Sequence, residues 1–212
     1  MRFFAVALAA GLTFSSTALA GDDEEYAEIN DSTMVADFNG TWAKAKEVQS
    51  TVSSWEDNLN SAREGFNEAV GIAKDEPIDK GIEHFKTLAG DSLKVALDGG
   101  NPTITVDDAA PDNVKAAAEA LKGCVAAAQD IVESGPKIVE QSKAVGEEAA
   151  AIPGQLNPSF FKDNGIKRPG DIKTATKEQK DNVSATKATD ERVKGVITEA
   201  TAIVDGVKAL AG

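Results

Sequence analysis

An elongated, all-α four-helix bundle is the fold this sequence predicts, and three observations predict it. Apolar residues recur every seven positions through two long stretches. Alanine fills many of the small positions of those repeats, and clusters of Pro, Gly and Asn separate the stretches. Such a pattern describes long amphipathic, alanine-rich helices that bury an apolar stripe against one another, and the length suits one domain.

The chain opens with MRFFAVALAAGLTFSSTALA: one cationic residue, Arg2, an apolar stretch from Phe3 to Leu12, and Ala18-Leu19-Ala20 at the end. This is the pattern of a cleaved signal peptide over residues 1–20, with an apolar core too short for a bilayer that requires about 20 apolar residues. The expected localisation is therefore exported, periplasmic or extracellular, with no transmembrane segment after cleavage. Loss of Arg2 takes the net charge from −13 to −14. So acidic a chain is a poor partner for nucleic acid.

Residues 21–31, GDDEEYAEIND, carry six carboxylates and few apolar groups, which predicts a solvated, disordered leader. The bundle itself is expected over 32–212. Its first helix, over about 35–75, places Phe38, Ala45, Val52, Leu59, Phe66 and Ala73 at one heptad position. Val48, Trp55, Ala62 and Ala69 lie three residues after successive members. Glu76-Pro77 is its expected stop, because proline disfavours helix in the residue before it.

A second helix is expected over about 78–97, with Ile78, Ile82, Phe85, Ala89, Ser92 and Ala96 on one face, ended by Asp98-Gly99-Gly100-Asn101-Pro102. The following TITV is β-branched and alternating, a short strand with no evident partner. A third helix, 112–152, repeats Val114, Leu121, Ala128, Gly135, Ser142 and Ala149, with Ala117, Cys124, Ile131, Ile138, Val145 and Ile152 three residues later. The phase survives Gly135-Pro136, so a kink is expected there, not an end. Residues 153–171 read as a loop by their Pro, Gly and Asn content. The last helix is expected over 171–211, capped by Asp171, with a polar first half.

Cys124 is the single cysteine. Leu121-Lys122-Gly123-Cys124 resembles the tail of a lipoprotein cleavage box, but an acylated cysteine must directly follow the signal's apolar core. The seam places this one between Ala117 and Ile131, as a buried and inert thiol. One cysteine forms no intramolecular disulfide, and C-x-x-C metal or haem motifs are absent.

Catalytic chemistry finds little support. His84 is the only histidine, no Glu-x-x-His pair writes a di-iron site, and no glycine-rich phosphate loop occurs. Asp37-Phe38-Asn39-Gly40 and Asp163-Asn164-Gly165 echo calcium loops but lack the alternating oxygen ligands. The expected role is non-enzymatic and cofactor-free: an envelope or secreted structural or interaction protein, scaffold or chaperone-like, with another protein as partner. The alternative is a carrier of lipid or another hydrophobic ligand on its amphipathic helices. The expected partner-binding residues are Phe160, Phe161, Lys162, Lys167 and Arg168, an aromatic and cationic cluster in the long loop. Both rings folding back to plug the end of the bundle is the competing expectation for that loop.

Overall fold

The computed structural model describes residues 27–211, so the expected signal peptide and residues 21–26 of the expected leader lie outside the described residues. The chain is an all-α helical bundle built on three long helices, α1 (Asn39–Val70), α3 (Asp112–Gln155) and α5 (Pro169–Lys208). A shorter helix α2 (Ile78–Ala89) and a hairpin of β1 (Leu93–Asp98) and β2 (Asn101–Val106) sit between α1 and α3, and α4 (Pro158–Asp163) between α3 and α5. At 1.5 Å per residue α3 is roughly 66 Å long. No helix among the described residues is long and apolar enough to cross a membrane.

Side-chain pairs fix the helix directions. Glu56 meets Arg192 and Arg63 meets Glu199, both across 136 residues, and a constant difference means that α1 and α5 run parallel. Ser142 bonds to Asp190, and Gly135 lies against Ile197; these pairs share a constant sum of residue numbers, so α3 runs antiparallel to α5. Gly135 lets the helices approach at that crossing: a Cβ there would stand 2.9 Å from Ile197 Cδ1, so the Ile197 side chain would have to shift.

Helix α1 ends before the expected Glu76-Pro77. Gly71 takes a left-handed φ of 84° and donates to the Glu68 carbonyl, while Ile72 donates to Asn67. These two bonds satisfy carbonyls the last turn would otherwise leave open, the Schellman arrangement that glycine permits. Helix α2 then crosses the end of α1 with Gly81 against Phe66 and Asn67.

Helix was expected as far as residue 97, and that is overturned: α2 stops at Ala89, Gly90–Ser92 form a 3-10 turn, and β1 begins at Leu93. The expected unpartnered strand is also corrected, since β1 pairs antiparallel with β2 from Leu93↔Val106 to Asp98↔Asn101. Gly99 and Gly100 have φ values of 57° and 90°, the two positive angles that a two-residue type I′ hairpin requires. Leu93, Val95 and Leu97 alternate with Lys94, Ala96 and Asp98, a period of two that outweighs the helical placement of Ser92 and Ala96.

Helix α3 continues through both Pro136 and Pro153, three residues beyond the expected end. The expected loop at 153–171 contains α4, capped by the Asn157 side chain accepting from the Phe160 amide at 3.0 Å. Pro169, not Asp171, opens α5, as suits a residue with no N–H to satisfy in the first turn.

Two apolar cores result. The larger lies at the hairpin end, around Phe66, Phe85, Leu59, Leu121, Ile131 and Ile203. The smaller lies at the α4 end, around Trp42, Phe38, Ile152, Phe161 and Ile166. Between and beside them α5 buries Gln179, Asn182, Thr186 and Thr189. The two threonine hydroxyls donate back to their own helix, at Asn182 O and Ala185 O, which makes their burial tolerable.

Candidate functional site

The α4 end of the bundle gathers the residues picked out in the sequence, and it is built around a segment expected to be solvated. Ala27, Glu28, Asn30 and Asp31 are exposed as expected, but Ile29 is buried and the backbone around it is bonded to the bundle, which corrects the expectation of disorder for the described half of the leader. Ile29 is 3% exposed, and its amide donates to Gln49 Oε1 at 3.3 Å. The Asn30 amide donates to Asn182 Oδ1 at 3.0 Å, and Asn182 Nδ2 donates to the Asn30 carbonyl at 2.6 Å. A single side-chain amide thus satisfies both backbone groups of Asn30. Glu178 accepts from the hydroxyls of Ser32 and Thr33, and Lys46 meets Asp31 at 2.8 Å. Of the two carboxylates in the described part of the leader, Asp31 is matched by Lys46.

Beneath this strap Trp42 is fully buried and its Nε1–H donates to Gln179 Oε1 at 2.8 Å. A glutamine on the polar half of α5 therefore serves the largest side chain of the smaller core. Phe38, at the foot of α1, stacks on Phe160 with centroids 5.4 Å apart and planes within 14°. Phe160 meets Phe161 edge-on at 5.8 Å. Phe161 is 6% exposed and Phe160 half-buried, so the rings close the end of the bundle, the competing expectation for this loop.

The five candidate residues are thus divided. Lys162, Lys167 and Arg168 are exposed, whereas Phe161 is enclosed and Phe160 offers part of one ring. Beside the rings lies an open depression of about 450 Å³, with Asp37, Thr41, Glu148 and Phe160 at its wall. Lys44 binds both oxygens of Glu148, at 2.8 and 3.0 Å, and holds its carboxyl below the usual range, with a smaller contribution from the Thr41 hydroxyl. That carboxylate is occupied by structural pairing.

Midway along the rod a second charged set joins α1 to α5. Arg192 reaches both oxygens of Glu56 and donates to Ser53 Oγ at 2.9 Å. One heptad on, Arg63 and Glu199 meet at 3.4 Å. Burial pushes the Glu199 carboxyl up, Arg63 pulls it down and Glu56 adds to the rise. Cys124 lies fully enclosed nearby, its thiol pushed up to about 12 by burial against a smaller opposing pull from Arg63. At that value it is neutral and unreactive at any ordinary pH.

No family model, curated protein or solved structure matches the chain. His84 is exposed on α2, and the described residues contain no cluster of His, Cys, Asp and Glu suited to a metal ion. The site residues missed in the sequence are Gln179 and Asn182. Their signal was heptad phase: Gln179, Thr186 and Val193 are seven apart, as are Asn182, Thr189 and Val196, so polar residues extend the apolar seam.

Proposed function

We propose that the chain is a non-enzymatic exported interaction protein, a rigid envelope or secreted spacer whose α4 end contacts an acidic protein partner. One observation carries this reading. The loop's aromatic residues are spent on fixing it to the bundle, which leaves Lys162, Lys167 and Arg168 exposed on an ordered surface and without an ion pair among the described residues. On a chain of net charge −13, the three cations outnumber Asp163 and Asp171 in the same segment, a local excess of positive charge within a negative field. Of the three long helices two, α1 and α5, begin at this end and one, α3, ends there, which leaves one N-terminus in excess and a modest positive contribution.

The rod supports the spacer role, since α1 and α5 are tied laterally by buried ion pairs and all three long helices by two cores. The carrier alternative requires the helices to separate and place their apolar faces on acyl chains.

Titration with polyglutamate tests the contact surface. The parent should bind, and Lys162→Glu with Lys167→Glu and Arg168→Glu should abolish binding at an unchanged melting temperature. Equal binding by parent and variant refutes the reading. Flotation on phosphatidylcholine–phosphatidylglycerol vesicles with a gain of helical signal would move the function to the carrier.

A further inference from the structure

The β1 edge of the hairpin carries an inference independent of the α4 end. The Asp107 amide donates to the Ser92 carbonyl at 3.0 Å, so the enclosed pair Leu93–Val106 is a non-hydrogen-bonded pair. By alternation, Lys94–Thr105, Ala96–Thr103 and Asp98–Asn101 exchange the ladder bonds. The N–H and C=O groups of Val95 and Leu97 therefore point away from β2. Among the described residues no backbone group meets them there.

The other edge of the hairpin is different. Pro102 pairs with Leu97, at a position whose main-chain donor would point outward, and proline has none. The edge of β2 is thus blunted, whereas β1, with the C-terminal turn Ala209–Ala211 packed near it, keeps the outward main-chain groups of Val95 and Leu97 unpaired among the described residues. Leu97, 53% exposed, is the most exposed large apolar residue described.

The edge sequence is self-complementary. Lys94-Val95-Ala96-Leu97-Asp98, set antiparallel to itself about Ala96, brings Lys94 opposite Asp98, Val95 opposite Leu97, and Ala96 opposite its own copy. The ladder phase agrees, because Val95 and Leu97 are the residues with free outward groups and in this register they face one another. A centre between two residues would set an outward group against an inward one. Centring on Val95 or Leu97 would lose the opposite-charge pairs. We propose that β1 pairs with β1 of a second copy of this chain about a two-fold axis through Ala96, forming a four-stranded antiparallel sheet.

Four main-chain bonds close the junction, two at each Val95–Leu97 pair. Each Leu97 gains an apolar neighbour, and each Lys94 gains a carboxylate in addition to Asp107, which it now meets at 2.7 Å on the solvent face. Opposite charges directly across a ladder favour the register, and like charges oppose it.

Sedimentation with charge reversal tests the pairing. The parent should sediment at twice the monomer mass. Lys94→Asp and Asp98→Lys should each weaken the dimer by about tenfold or more, since both symmetry-related pairs become repulsive. An equimolar mixture of the two variants should restore it, because every facing pair is then opposite in sign. Ala96→Cys should crosslink spontaneously, the Cα atoms of such a pair lying about 4.5 Å apart, within disulfide range, whereas Thr103→Cys should not.

A parent that remains monomeric at its highest soluble concentration overturns the proposal. So does a dimer indifferent to both reversals, or an Ala96→Cys dimer whose introduced thiols stay reduced. Protection of the Val95 and Leu97 amides from exchange only after another protein is added would assign the edge to a different chain, and equally overturns self-pairing.

Discussion

Glu199 faces Arg63 at 3.4 Å across the parallel helices α1 and α5, and one heptad earlier Glu56 faces Arg192 with the charges exchanged between helices. The alternation forbids the two helices from sliding by one heptad without setting like charges together. Both pairs are shielded from solvent, with side-chain exposures of 13% and 22% for the first and 13% and 9% for Glu56 and Arg192. Breaking such a pair from one side leaves a buried charge and costs about 3–5 kcal/mol. Glu56→Ala should show that loss in chemical denaturation, and Glu56→Ala with Arg192→Met should recover most of it.

Glu199 should behave differently in its pH dependence. Its carboxyl is raised, chiefly by burial, so between its unfolded and folded pKa the native state binds more protons than the unfolded state. Stability from this group therefore rises as pH falls through that window and is reduced above it. Asp190, lowered chiefly by its bond to Lys194, contributes the opposite slope, losing stability as pH falls. Glu199→Gln should steepen the acid-side loss relative to the parent, because a group that takes up a proton on folding is gone. An unchanged pH profile in the variant refutes the assignment.

Cys124 should react slowly with a thiol reagent in the folded protein and fast in denaturant. Its thiol is raised to about 12, whereas an unfolded cysteine ionises near pH ~8.5, so folding should also weaken as pH climbs above that value. Cys124→Leu should cost about 1–3 kcal/mol by overpacking the seam.

Removal of the segment through Asp31 should destabilise the protein, because Ile29 and both backbone groups of Asn30 are engaged. Ile29→Ala alone should cost about 2–4 kcal/mol by thermal melting. At the same end, Phe161→Ala should cost about 3 kcal/mol or more, and Phe160→Ala less, since its ring is only half-buried.

Two glycines in neighbouring helices should respond in opposite senses. A Cβ at Gly81 would stand 2.6 Å from Asn67 Oδ1 and 2.8 Å from the Phe66 ring, whereas one at Gly65 meets nothing within 4 Å. Gly81→Ala should cost about 1–3 kcal/mol, and Gly65→Ala should add up to about 1 kcal/mol through helix propensity.

The seams of α1 and α3 were legible because long runs of Leu, Val, Phe and Ala keep one phase, and Phe66, Leu121 and Cys124 are buried as that phase requires. Half of the hairpin was legible, since the alternating TITV is β2, but β1 was not, because Ser92, Ala96 and the preceding apolar face also fit a period of 3.6, and six residues are too few for one period to exclude the other. The described part of the leader misled because composition does not show which side chains will bond its backbone; Asn182 and Gln49, which do so, lie far along the chain. The polar half of α5 misled for a related reason: a buried threonine or glutamine keeps heptad phase without contributing to hydropathy. The α4 loop showed its aromatic residues plainly, but which ring would turn inward depended on Phe38, more than a hundred residues away.

The parallel course of α1 and α5 fixes an order of assembly. Ser142 and Asp190, which join α3 to α5, are 48 residues apart, whereas both α1–α5 ion pairs span 136. Closing the longer loop first costs more chain entropy, so the α3–α5 hairpin should form early and the α1–α5 seam last. The first long helix to leave the ribosome is then the last to be completed. Until α5 arrives, Glu56 and Arg63 stand in water on an open amphipathic face, a stage at which a holdase could engage the nascent chain.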